Sequence, residues 1–159
     1  MNSAIQPETE SSLEDLLNRE TSELDQFIGL LEEELDALAA GRADVVQDCA
    51  SRKQDLLGHI FATRDAVNAV ARRTSGNPHL KSAESWLART PSIRVRRAFD
   101  RLTDHAEQAR QLNQLASRLI QIKLRSVNEH LDVLQPAGRL NAIYYPEGFA
   151  AAQLASKGI

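Results

Sequence analysis

The side chains best suited to chemistry are few and widely spaced. His59, His79, His105 and His130 share no metal-ligand spacing, none sits in an HExxH helix, and Cys49 is the only cysteine, so no zinc site and no Cys–His nucleophile is expected. The run "LEEELD" places Glu32, Glu33 and Glu34 together, the residue type of general acid–base catalysis. On an amphipathic helix such a run is ordinarily the solvent face, and nothing apolar flanks it to shift a pKa. The cluster "IRVRRAFDR" offers Arg94, Arg96, Arg97 and Arg101 to phosphates, but the chain is acidic, with net charge −3, and no nucleic-acid motif frames them. No enzymatic activity, cofactor, metal or nucleic-acid partner follows. Two polar residues stand out differently: Lys53 and Asn113 fall where an apolar residue would pack better, Lys53 to snorkel and Asn113 to fix helix register.

The elements that must position these residues read as helices. Residues 1 to 9 hold Pro7 and show no period, so a helix is predicted to begin at "ETESSLEDLL", capped by Ser11 or Ser12, with Glu14 and Asp15 in its first turn. Leu17, Leu24, Ile28, Leu31, Leu35 and Leu38 form its apolar row, stepping 4, 3, 4, 3 from Leu24 onward, the seam of a helix packed lengthwise on a partner. "AAGRAD" interrupts it at Gly41, with Asp44 able to cap a new start, and either reverses the chain or merely breaks the helix. Cys49, Lys53, Leu56, Ile60, Thr63, Val67 and Val70 repeat the seam as far as Gly76, Asn77 and Pro78, a reversal. "LKSAESWLART" then reads as a short connecting helix whose Trp86 plugs one end of a bundle.

Pro91 suits the first turn of a long last helix, where Val95, Phe99, Leu102, Ala106, Ala109 and Ala116 continue the seam. Leu112, Leu115, Leu119, Ile122, Val127, Leu131 and Leu134 widen it until "QPAG". About 40 residues at 1.5 Å each span roughly 60 Å. The predicted fold is all-α: an elongated antiparallel, coiled-coil-like bundle of three main helices, with a short connecting helix and a flexible C-terminal tail. Residues 1–139 form the bundle domain and 140–159 the tail.

Charge supports folding back. Residues 1–48 carry thirteen acids against Arg19 and Arg42, whereas residues 49–127 carry fifteen Lys or Arg against six acids, so an acidic first helix should lie beside basic ones. The single cysteine fits a reducing compartment, the N-terminus has no signal-peptide pattern, and no apolar run is long enough to span a membrane. A cytoplasmic protein without membrane insertion is expected.

In order and spacing, "SRKQDLLGHI", the isolated Trp of "ESWL", "LNQLASRLIQIKL" and "IYYPEGF" resemble the FlgN family of flagellar export chaperones over nearly the whole chain. The family pattern is a Leu-Asn pair with a second Asn three residues on, an Ile-rich stretch, and a later turn like Tyr-Gly-Pro-Asp-Gly. Leu112, Asn113, Leu119, Ile120, Tyr144, Pro146 and Gly148 match, whereas Ala116 replaces the second Asn, Ser117 a following Gly, Glu147 the Asp, and Tyr145 the turn Gly. The resemblance implies a cytoplasmic chaperone of hook-filament junction proteins. It would keep them from premature assembly and deliver them to the flagellar type III export gate, without enzymatic activity. Binding is expected to be one to one by a monomer.

The partner-binding residues on this reading are Asn113, Leu119 and Ile120 in the last helix and Ile143, Tyr144, Tyr145 and Phe149 in the tail. Three of the chain's seven aromatics crowd into "AIYYPEGF", where Pro146 and Gly148 bar a helix. They serve either as a handle that anchors on a partner or as a cap folded back on the bundle. A coiled-coil scaffold, or a chaperone of another secretion or assembly system, would use the same seams.

Overall fold

The computed structural model describes the backbone of residues 6–134 and the side-chain burial of residues 6–131. Four helices follow one another: α1 Pro7–Ala40, α2 Ala43–Ser75, α3 Glu84–Leu87 and α4 Ile93–Leu134, with no strand among the described residues. Two compact units divide the chain, Met1–Ile122 and Lys123–Ile159.

Helix α1 starts earlier than Ser11 or Ser12. Gln6 is the N-cap, Pro7 occupies the first turn where its missing N–H is no loss, and Glu8 and Glu10 sit at the positive end of the dipole. The helix ends on Gly41, which takes the left-handed conformation at φ 72°. The Gly41 and Arg42 N–H groups donate to the Leu38 and Ala37 carbonyls, satisfying acceptors that α1 would otherwise leave open. "AAGRAD" therefore reverses the chain, and Asp44 stands in the first turn of α2 without capping it.

Pairings across the helices set their directions within the first unit. Glu33 meets Arg52, Glu34 meets Lys53, Glu23 meets Thr63 and Glu20 meets Arg64, so α1 and α2 run antiparallel. Glu10 meets Ser92, Glu14 meets Arg94, Asn18 meets Arg101 and Asp25 meets His105, so α1 and α4 run parallel. This is up-down-up packing of three long helices. The acidic first helix lies beside basic partners on both sides, and Arg94 and Arg101 are accounted for by it.

The core joins residues of all four helices, among them Leu13, Leu17, Leu24 and Leu31 of α1, Ile60 and Val67 of α2, Leu87 of α3, and Val95, Leu102 and Ala109 of α4. Burying each large aliphatic contributes about 1.5–3 kcal/mol before the cost of ordering. The α2 seam is as read, with Cys49, Ile60, Thr63, Val67 and Val70 buried and Lys53 and Leu56 half-buried. In α1 the buried row is instead Leu13, Leu17, Glu20, Leu24, Phe27, Leu31 and Glu34, an unbroken alternation of 4 and 3 that includes two carboxylates. Leu35 and Leu38 are only half-buried, and Glu34, expected on the solvent face with Glu32 and Glu33, is buried.

At the loop end, Leu87 and Ala83 are buried while Trp86 is half-buried against the core, so Leu87 is the tighter plug. Pro91 lies outside α4. Ser92 accepts the Val95 N–H at 3.2 Å and is the cap.

Candidate functional site

Polar side chains that the apolar rows bury form a ladder between α1 and α2. Lys53 Nζ donates to Glu34 Oε2 at 2.5 Å, the two side chains being 16% and 3% exposed. Thr63 donates to Glu23 Oε1 at 3.0 Å, and the same oxygen accepts from Arg19 at 3.1 Å. Deeper still, Arg64 donates through Nε to Glu20 Oε1 at 2.6 Å and through Nη1 to Glu84 of α3 at 3.2 Å. Burial pushes the Glu20 carboxyl above its ordinary range, against the opposing hydrogen bond and charge of Arg64. Burial is the largest influence on Arg64 and acts to lower it, but the hydrogen bonds and charges of Glu20 and Glu84 together outweigh it and push the guanidinium above its ordinary value. The second oxygens of Glu20 and Glu23 are buried without a protein partner.

This ladder is built for fixing helix register. Among the described residues the hydrogen-bond partner of Glu20 is Arg64, and Cys49 is buried, with its thiol pushed up by burial first and by Glu33 after that. No group of three or more His, Cys, Asp or Glu among the described residues can hold a metal ion. No helix among them is long and apolar enough to cross a membrane.

The surface that lacks a partner lies on α4. Its buried row descends at strict seven-residue intervals, Val95, Leu102, Ala109 and Ala116. Pairing of α1 with α4 at an offset of 80 to 83 residues, carried to Ala40, runs out at about residues 120–123. Burial falls off accordingly. Leu112 is half-buried against the core, Leu119 and Ile120 are half-buried, and Leu115 and Ile122 are 52% and 64% exposed. Leu115, Leu119 and Ile122 step by 4 and 3 and so share one face, an apolar row that the described residues leave largely uncovered. In the second unit every residue from Lys123 to Leu131 is exposed, and Leu124, Val127 and Leu131, again sharing a face, expose 59%, 54% and 51%. Contiguous exposed apolar surface of this kind marks an interaction site more often than a plain surface.

Of the sequence-derived site residues, α4 brings Leu119 and Ile120 together at the edge of this surface. Asn113 is exposed and does not occupy the seam; its carbonyl accepts the Ser117 hydroxyl at 2.9 Å, and its side chain fixes no register. Leu115, Ile122, Val127 and Leu131 were expected to widen the buried seam and are exposed instead: Leu115 flanks the buried row at Ala116 without entering it, and Ile122 lies at the end of the stretch that α1 can reach. Ile143, Tyr144, Tyr145 and Phe149 lie outside the described residues. Sequence reasoning missed Glu20 and Glu23 as buried groups, although the alternation of 4 and 3 already passed through Glu20.

Between α1 and α2, an open groove of about 480 Å³ is lined by Gln26, Glu33, Arg52, Asp55 and His59 among others. Within it Arg52 donates to Glu33 at 3.1 Å and reaches outside it to Asp48 at 3.1 Å. On α4, Glu107 is held at about 2 by hydrogen bonds from Arg110 and Gln111, an exposed local cluster away from the apolar row.

A family model described as FlgN protein matches residues 1–151. No curated protein and no solved structure matches the chain.

Proposed function

The chain belongs to the FlgN family of flagellar export chaperones, and from that premise we propose that it binds hook-filament junction proteins in the cytoplasm, prevents their premature assembly and delivers them to the type III export gate. Proteins of this family bind flagellar substrates; which ones this chain takes, one to one as a monomer, is the proposal. The observation that carries it is the exposed apolar row of Leu115, Leu119 and Ile122, which follows directly on the packed turns of α4 from Val95 to Ala109. An unassembled helical protein exposes amphipathic segments of its own, and such a segment can lay its apolar face along this row.

Ile120 borders the docking face, Asn113 lies on the same helix, and the tail supplies Ile143, Tyr144, Tyr145 and Phe149 as aromatic and aliphatic anchors. Residues 1–139 act as the folded body and 140–159 as the tail that engages partner or gate. The test is isothermal titration of the purified chain with each junction protein, unaltered and as Leu115→Asp/Ile122→Asp. Both side chains are more than half exposed, so stability should move by no more than about 0.5 kcal/mol, while binding should weaken by about 1–3 kcal/mol, or one to two orders of magnitude. Failure of the unaltered chain to bind any junction protein would return the bundle to a scaffold role.

A further inference from the structure

The second unit holds an apolar face and, in sequence, a segment suited to cover it. Leu124, Val127 and Leu131 stand at i, i+3 and i+7 on α4, each more than half exposed, and nothing described lies over them. The chain continues from Leu134 for 25 more residues. Pro136 and Gly138 fall directly after the helix, the residue types that stop a helix and let the chain reverse. The next stretch, Leu140 to Phe149, carries Leu140, Ile143, Tyr144, Tyr145 and Phe149 with a single acid, Glu147.

We propose that residues 139–159 of this chain are the resting occupant of the Leu124–Val127–Leu131 face, seated there whenever no other protein is bound. Reach permits it. From a reversal at 136–138, Leu131 is six or seven helical residues back, about 10 Å at 1.5 Å per residue. The five residues from Arg139 to Ile143 extend to about 16 Å. The distal side chains through Phe149 are then available to Val127 and Leu124. Charge does not decide it: Lys123, Arg125 and Glu129 surround the face, and the segment carries Arg139 and Lys157 against Glu147, so the apolar side chains from Leu140 to Phe149 are what suit it.

Tethering decides between this occupant and a second copy of the chain. A segment on so short a linker is present at about millimolar effective concentration, far above a protein's own micromolar concentration. Even a segment whose free affinity is only about 0.1 mM would then cover roughly nine chains in ten. A partner that takes the same side chains must displace the segment, so its apparent affinity falls by about tenfold. The intrachain contact itself is independent of the partner reading, and its test contains no flagellar protein.

The experiment compares amide resonances of residues 139–159 in the ¹⁵N-labelled full chain with those of the free 139–159 peptide. In the unaltered chain the signals of Ile143 to Phe149 should differ from the peptide's, at every protein concentration. In the Val127→Asp/Leu131→Asp chain, whose substituted side chains are exposed and whose thermal melt should be unchanged, they should collapse onto the peptide values. Coincidence with the peptide in the unaltered chain overturns the proposal. So do differences that survive the double substitution, which would seat the segment elsewhere, and differences that vanish on dilution, which would make a second copy the occupant.

Discussion

Replacing Lys53 with Met tests whether the polar ladder fixes the α1–α2 pairing. Glu34 is 3% exposed and Lys53 16%, and the 2.5 Å bond between them is the contact the structure gives that carboxylate. Met keeps the length and apolar stem of Lys but strands Glu34 as a buried charge. Breaking a buried pair in this way costs about 3–5 kcal/mol. Because Lys53 keeps some exposure and water can reach toward the gap, the low end applies, about 3 kcal/mol, or a fall in Tm of roughly 6–12 °C. Replacing both partners, as Glu34→Leu/Lys53→Met, removes the stranded charge and should recover most or all of the loss. Urea and thermal unfolding followed by circular dichroism give both numbers, and the two single variants complete a double-mutant cycle with an expected coupling of at least 1 kcal/mol. A single variant within about 0.5 kcal/mol of the unaltered chain would refute the reasoning. A double variant as unstable as the sum of the singles would refute it too.

The remaining predictions follow from burial and charge. Leu17→Ala empties a fully buried position among α1, α2 and α4 and should cost about 2–5 kcal/mol in urea unfolding. Glu20 is held above its ordinary 4.5 by burial, so the folded chain keeps its proton to higher pH than the unfolded one; its contribution is full below about 4.5 and is lost as pH rises through the raised folded value. Glu20→Gln should therefore gain on the unaltered chain as pH rises above 4.5, and a pH-independent gap between their urea midpoints would contradict the assignment. Glu107, held at about 2, has the opposite sign: its contribution is present above 4.5 and lost as pH falls through about 2, so Glu107→Gln should flatten only the acid limb of the stability profile.

Much of the fold was legible because the seam in α2 is almost purely a spacing signal. Cys49 to Val70 alternate 4 and 3 without a break, and all seven positions are buried or half-buried. The helix ends were legible for a similar reason, since Gly41 and Gly76 both take the left-handed conformation that punctuates helices, although at Gly41 the spacing left a reversal and a mere break equally open. Helix α1 was read less well. Counting only apolar residues skipped Glu20 and Glu34, and the row was carried through Leu35 and Leu38, one residue beyond the buried Glu34 and Ala37. The cost of burying a carboxylate makes the solvent face the natural assignment for "LEEELD". What reverses it is a cation on another helix nineteen residues away, Lys53, and a pairing of that kind exists only once α1 and α2 are antiparallel and in register.

The candidate site was partly legible in a different sense: the apolar residues were seen, but their fate was not. Leu115, Ile122, Val127 and Leu131 are apolar residues on the helix that carries the buried row, and periodicity reports which positions are apolar without reporting what stands opposite. The lengths of the other helices decide that. With α1 ending at Ala40 and its register set by Glu10, Glu14, Asn18 and Asp25, the supply of partners for α4 ends near residue 122, and α4 continues to Leu134. Buried polar pairs and the exposed apolar row are in this respect linked. The Glu34–Lys53 and Glu20–Arg64 bonds oppose a slide of α2 along α1, because a shift of one heptad would leave Glu34 facing apolar residues. A bundle held in one register keeps the same α4 residues uncovered, and an apolar row that stays in one place is what a partner helix can recognise.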